Sequence, residues 1–295
     1  MTSKQQAEPR PPSIALRLAR DPKVVFAGGF ILLLIILAVF APFIAPQDPL
    51  AQNLLAATLP PMGFPDAEPG FLLGTDGLGR DVFSRVIFGA RISLTVAFVA
   101  AGLACLIGSL LGLLAGFFRG WVEALISRLV DIWMAFPPVL LSILLVAVLG
   151  AGLHSVIAAI VVIDWTRFCR VIRTETMGQA QMDYVVAART IGFSRPAILF
   201  REILPNVMPV LIALLTLEMG IAVVVEAILS FVGLGVKADE AAWGQMIADA
   251  RQYVYQSPWN LLFPILAIFV TVTAFNLLGD GLRRTLDVRL AETGH

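Results

Sequence analysis

The chain of 295 residues is 58% hydrophobic and only 14% charged, with a mean hydropathy of +0.87; soluble domains are less apolar and more charged, so the composition is that of a membrane protein. Its 21 basic and 21 acidic side chains cancel, which gives no support to a nucleic-acid partner. Cys105 and Cys169 lie far apart in or beside apolar runs and read as buried free thiols, while two histidines, His154 and His295, are too few for a histidine-rich metal site.

Residues 1–23 form a polar, basic tail with Lys4, Arg10, Arg17, Arg20 and Lys23, and Pro9, Pro11 and Pro12 argue against early structure. An uncharged run from Val24 to Gln47 follows, long enough to cross a bilayer that needs about 20 apolar residues. It exceeds the core of a cleaved signal peptide, so 24–45 is expected to be a first transmembrane helix with the basic tail facing the cytoplasm. Residues 46–91 are then extracytoplasmic and rich in proline and acid. Their last part, Gly74-Thr-Asp-Gly-Leu-Gly-Arg-Asp-Val-Phe-Ser-Arg85, reads as a glycine-rich turn feeding an amphipathic helix, with Asp81 and Arg85 paired four residues apart. The glycine spacing matches neither a P-loop nor a dinucleotide fingerprint.

Ile92 to Phe118 is a second uncharged span in which Gly108, Gly112 and Gly116 recur every fourth residue, a stripe for close helix packing. Arg119 opens a short cytoplasmic turn. A third span runs from about Ser127 to Leu149, with Asp131 near its start and a proline kink at Phe136-Pro137-Pro138. After an outside turn at Gly150 to His154, a short fourth span, Ser155 to Thr166, contains Asp164 and continues as one helix toward Arg167, Arg170 and Arg173. These arginines, with Arg189, Arg195 and Arg201, place the loop 167–205 in the cytoplasm. Val207 to Val236 is the fifth span, with Glu218 and Glu226 inside it; residues 237–257 lie outside, and Pro258 to Gly279 is the sixth. A cytoplasmic tail of 282–295 closes a six-helix, all-α topology, and Trp133, Trp165 and Trp259 sit near the expected interfaces.

The longest polar interruption in this apolar half is Asp183 to Asn206. Residues 176–191 carry good helix formers and end at Gly192, where a C-terminal glycine belongs. Ser194 caps a second short piece that starts with Arg195-Pro196 and is ended by Pro205. Small alanines and a bending glycine between two spans make a plausible handle for a soluble partner.

Ala187-Ala188, Gly192 and Ile203-Leu204-Pro205 resemble the "EAA" loop of binding-protein-dependent ABC importer permeases. The glutamate that names the loop is Val186 here, with Asp183 leaving an acid one turn earlier. The stretch from Gly74 to Arg85, Glu226-Ala-Ile-Leu-Ser-Phe-Val-Gly-Leu-Gly235, Trp243-Gly-Gln-Met246 and Asn276-Leu-Leu-Gly-Asp-Gly-Leu-Arg283 resemble the dipeptide, oligopeptide and nickel permease branch. The resemblance implies a type I importer permease fold with a core at 92–281, in a bacterial inner membrane with both termini cytoplasmic. It implies a homologous permease subunit, two ATPase subunits carrying ATP and Mg, and an extracytoplasmic substrate-binding protein as partners. Asp183, Ala187, Ala188, Arg189, Gly192, Ile203, Leu204 and Pro205 would couple this chain to the ATPases. Cargo would be a dipeptide, an oligopeptide or a similar small solute, since the branch also includes glutathione and nickel permeases.

No catalytic constellation and no Gly-Lys pair occur, so the chain is expected to be neither an enzyme nor an ATP binder, and to hold no metal or other cofactor. Charges at bilayer depth are costly, which makes Asp164, Glu218 and Glu226 candidates for the translocation path. The alternative is structural pairing: Asp164 with Arg167, and Glu226 with a hydroxyl or backbone donor on a neighbouring span. A stand-alone ion-coupled secondary transporter would account for the buried acids but leaves the alanine–glycine loop without a purpose. A membrane enzyme built on the same acids lacks the histidines or metal cluster it would need.

Overall fold

Backbone amides in a bilayer have no water to bond, so uncharged runs close their hydrogen bonds within helices. The computed structural model describes residues 18–19, 21–237 and 240–286, and among these the only pairing of β type is an isolated bridge between Thr75 and Asp81. The basic stretch 1–17 and the end of the expected C-terminal tail, 287–295, lie outside the described residues.

Helix α1 (Pro22–Val39) starts just before the uncharged run, because Asp21 accepts the Lys23 amide at 2.8 Å and Pro22 occupies the first turn. A short helical turn, Ala41–Ile44, hands the chain to the segment that follows. Helix α2 (Val82–Phe118) is 37 residues long, about 55 Å by its rise, and projects well past a bilayer core of about 30 Å. Asp81 caps it by accepting the Ser84 amide at 2.8 Å, so the amphipathic helix expected after the glycine-rich turn and the uncharged span from residue 92 are one continuous helix.

At the expected kink the chain breaks outright. Helices α3 (Gly120–Met134) and α4 (Pro138–Leu149) meet at 85°. Two successive prolines explain the break, since each removes an amide and restricts the residue before it. Helix α5 (Leu153–Gln179) is continuous through Asp164 and the arginine row, as its sequence suggests. Helix α6 (Asp183–Thr190) follows a turn at Ala180 to Met182, so the single helix expected over 176–191 is divided. The Tyr184 hydroxyl donates to Gln179 Oε1 at 2.8 Å across that corner.

From Arg195 the chain stays helical through Phe231: a turn at Arg195–Ala197, a π-helical turn at Ile198–Ile203, then helix α7 (Leu204–Phe231). Pro205 therefore does not end the second piece. It takes an early position of α7, where its missing amide costs little, and the wider π turn before it absorbs the change of register. Helix α8 (Trp243–Ala250) lies in the connection to helix α9 (Trp259–Leu286), which runs beyond the expected end of the sixth span.

Among the described residues four helical runs, α1, α2, Arg195–Phe231 and Trp259–Thr285, are long and apolar enough to cross a membrane, or five if the bent α3–α4 pair is one span. The expected fourth span maps to α5, whose 27 residues suffice in length but carry Asp164, Arg167, Arg170 and Arg173.

Helix α2 is the centre of the packing. Its glycine stripe faces the backbone of α5: a Cβ on Gly108 would lie 2.2 Å from the Trp165 carbonyl oxygen, on Gly112 2.7 Å from that of Cys169, and on Gly116 2.6 Å from that of Arg173. Only glycine permits this approach. On another face Ala90, Leu94, Ala97 and Ala101 pack with Met219, Val223 and Phe275 of α7 and α9 and with Ala27 and Ile31 of α1. Cys105 and Cys169 are buried free thiols. Trp133 and Trp165 meet edge to face at 6.5 Å.

Candidate coupling segment and buried charges

Helix α6 ends in a complete Schellman motif. The Phe193 amide donates to the Ala188 carbonyl at 3.1 Å and the Gly192 amide to that of Arg189 at 3.1 Å. Gly192 stands at φ +88°, a conformation that a side chain disfavours, and no atom crowds the place its Cβ would take. Ser194 Oγ then accepts the Ala197 amide at 3.4 Å and starts the next turn. The helix–glycine–helix turn expected from the sequence is therefore present, with shifted ends.

The segment has a buried base and an exposed face. Val185 and Ala188 are buried with Ile198, Leu199 and Ile203 in a cluster built on Phe168 and Ile172 of α5 and Leu113 and Phe117 of α2. Asp183, Val186, Ala187, Arg189, Gly192 and Pro205 are exposed, and Leu204 is half-buried. The tip presents apolar side chains to solvent: Val186, Ile191 and Phe193 are 53%, 72% and 43% exposed. Arg189 lies over the Phe117 ring at 5.9 Å. On the neighbouring surface Arg170 approaches Asp131 at 3.9 Å, and Arg173 reaches Glu123 at 3.7 Å and bonds the Ser127 hydroxyl, tying α5 to α3.

The three intramembrane acids are all buried, Asp164 at 5%, Glu218 at 2% and Glu226 at 0% exposure; Asp164 and Glu218 lie close enough to Arg167 and to each other to interact through charge, while Glu226 stands apart. Arg167 Nη1 donates to both carboxylate oxygens of Glu218, at 3.3 and 3.2 Å. The expected Asp164–Arg167 ion pair is not formed; the guanidinium turns to α7, and among the described residues no salt bridge reaches Asp164. Glu226 accepts from Ser230 at 2.7 Å and from Ser93 of α2 at 3.3 Å, the neighbouring-span hydroxyl that the sequence suggested. Eight residues separate Glu218 from Glu226, about 12 Å along α7. Among the described residues no group of three His, Cys, Asp or Glu side chains could hold a metal ion.

Sequence reasoning missed a second constellation, at the start of α2 where α8 meets it. Asp76 accepts the Leu78 and Arg80 amides at 2.9 and 3.0 Å, the Arg80 Nε at 2.7 Å, and Nη1 of Arg85. Arg80 and Arg85 also reach Asp249 of α8, at 2.8 and 3.5 Å. The expected Asp81–Arg85 pair is therefore replaced: Asp81 is a helix cap and Arg85 belongs to a four-residue ionic cluster. Asp249 lies 164 positions after Arg85, beyond any local pattern. The neighbouring Trp243 indole donates to the Val86 carbonyl at 2.9 Å and covers Gly89, so α8 is fastened to α2 by charge and by shape.

Comparison with known proteins places this architecture. Residues 108–292 match the family model described as "Binding-protein-dependent transport system inner membrane component", and residues 13–61 match "N-terminal TM domain of oligopeptide transport permease C". The glutathione transport system permease protein GsiD of Shigella dysenteriae serotype 1 is 42% identical over 274 residues, 93% of this chain and 89% of the relative. That of Salmonella typhimurium is 43% identical over the same shares. Among solved structures, an inward-facing form of the MetNI methionine ABC transporter superposes with a TM-score of 0.59, covering 68% of this chain and 96% of that one; at 19% identity it speaks for the fold alone. The glycine-built helix pairing, the capped helical turn on a buried base and these matches agree: the chain belongs to the binding-protein-dependent transport system inner membrane components, the permease subunits of ABC importers.

Proposed function

We propose that this chain forms half of the translocation pathway of an importer for small peptides or solutes of that size, paired with a homologous permease subunit. Two ATPase subunits sit below it and an extracytoplasmic binding protein delivers cargo from the other side. The chain crosses six times, by α1, α2, the broken α3–α4 pair, α5, α7 and α9. Both termini and the segment 180–203 then face the cytoplasm, and the five crossings from α2 onward form the permease core. The arginines at 167, 170, 173, 189, 195 and 201 support that orientation. Relatives named for glutathione transport support a short peptide as cargo.

One observation carries the coupling role: α6 has an exposed apolar tip on a buried base that reaches α2 and α5. Docked in an ATPase subunit, Asp183, Ala187, Arg189 and Gly192 form the contact surface, Ala188 and Ile203 hold its buried base, and Leu204 and Pro205 join that base to α7. ATP and Mg stay on the partners. Closure of the ATPase dimer pushes α6, and the buried base passes the motion to α2 and α5 as a shift between two packed states. Asp164, and Glu218 with its partner Arg167, are the path-facing candidates; Glu226, satisfied by two hydroxyls, is the structural one.

Affinity purification of the tagged chain from mild detergent, with ATPase activity assayed on the eluate, tests this reading. The expected outcome is an ATPase that accompanies the wild type and is lost with Gly192→Pro, which disturbs the turn and leaves the crossings intact. A chain that purifies alone and moves solute under an ion gradient would sink it.

A further inference from the structure

Two cavities meet at one arginine. The upper, of about 780 Å³, lies on the side of the external segment and is lined by Asp48, Leu50, Phe88, Arg91, Thr95 and Glu240, among others. The lower, of about 480 Å³, is a groove between α1 and α2 walled by Ile35, Val39, Leu94, Phe98 and Val99. Arg91 and Thr95 line both. The composite cleft is therefore polar at one end and apolar at the other, with a cation at the junction.

Arg91 and Asp48 open into this cleft, and Glu240 lines it with one oxygen buried. Arg91 is exposed and has no ion pair among the described residues. Glu240 has a buried carboxylate oxygen, Oε2, without a hydrogen-bond partner. Asp48 uses one oxygen to accept the Leu50 amide at 2.9 Å. Arg91 stands six residues after Arg85, about 9 Å farther down α2, which suits headgroup depth. The groove below shows Val39, Phe98 and Val99 at 63%, 40% and 42% exposure. An amphiphile fills the polar cavity and the apolar groove together, through the residues that line both.

We propose that this cleft binds one phospholipid with an ethanolamine headgroup: its phosphate on Arg91, its ammonium toward Glu240 and Asp48, and an acyl chain between α1 and α2. A cation that shares its cavity with two carboxylates complements a headgroup that is itself anionic and cationic. The same carboxylates disfavour an anionic lipid, which offers them no positive charge. That the cleft lies at headgroup depth, in the outer leaflet, rests on the proposed orientation; the lipid chemistry does not.

The test is native mass spectrometry of the membrane complex containing the full chain, after partial delipidation and titration with palmitoyl-oleoyl phosphatidylethanolamine or the matching phosphatidylglycerol. Wild type is expected to retain the ethanolamine lipid preferentially. Arg91→Ala should lower retention about tenfold, as loss of a charge-assisted contact predicts, and Arg91→Lys should recover part of it. Glu240→Gln should keep lipid binding and lose the preference, which keeps the proposal testable should Arg91→Ala fail to assemble. A photoreactive residue at Val99 should attach to lipid. Equal retention of the two lipids by wild type, unchanged retention in Arg91→Ala, or attachment of the Val99 probe to a polypeptide would each overturn the assignment, the last by showing a partner subunit in the groove.

Discussion

Arg167 on α5 holds Glu218 on α7 through one nitrogen placed 3.3 and 3.2 Å from the two carboxylate oxygens. The pair is asymmetric: the arginine side chain is 36% exposed and the glutamate 2%. Water can take over the solvation of the guanidinium, but not that of the carboxylate. Arg167→Ala should therefore cost more, about 3 kcal/mol, because it strands a buried acid. Glu218→Ala should cost about 1 kcal/mol. Thermal unfolding of the two single variants and the double variant in detergent checks the order. A double variant no worse than Arg167→Ala is expected, since the stranded charge is then gone.

Two glycines of α2, one inside the stripe and one outside it, should respond in opposite ways. Gly112→Val places a Cβ 2.7 Å from the Cys169 carbonyl oxygen and 3.0 Å from the Arg173 nitrogen, both backbone atoms that cannot swing aside. It should cost about 1–3 kcal/mol by forcing α2 and α5 apart. Gly102→Ala meets nothing within 4 Å and should be neutral or gain up to about 1 kcal/mol of helix propensity. Unfolding midpoints of the pair in one detergent decide the matter.

At Gly192 the constraint is conformational rather than steric. Gly192→Ala should cost about 1–2 kcal/mol of local stability, and Gly192→Asn less, because asparagine tolerates the left-handed region. Hydrogen exchange at the Gly192 and Phe193 amides reads this directly, since those amides close the motif on Arg189 and Ala188. Protection should fall in the alanine variant while α7 amides stay unchanged.

The cluster at the start of α2 should behave as a unit. Arg85 is 1% exposed and Asp76 7%, so Arg85→Met leaves Arg80 as the one cation shared by both carboxylates and should cost about 3–5 kcal/mol. The loss should appear first as faster exchange or proteolysis in α8, which Asp249 anchors, and only later in the membrane helices. Uniform loosening of the whole chain would contradict this division.

Much of this chain follows from one-dimensional patterns. Uncharged runs near residues 24–45, 92–118 and 258–279 had to become helices, because a bilayer leaves the backbone no other hydrogen bonds. Gly108, Gly112 and Gly116 announced a close helix contact, and Gly192 with Ser194 announced a stop and a start, because those signals act within a few residues. The family itself was legible from motifs in order along the chain.

What the sequence could not decide is who meets whom. Asp81 and Arg85 sit at ideal helical spacing, yet Arg85 pairs with Asp76 and Asp249, because the fold brings α8 against the start of α2. Arg167 had Asp164 one turn away and chose Glu218, 51 residues on, because α7 packs beside α5. Pro205 carries a breaking signal that a preceding π turn absorbs, and Pro137-Pro138 gives an 85° break where a kink was expected. Local rules fix the energies of neighbours in sequence. A buried charge takes the best partner in space, and only the packing of distant helices determines which partner that is.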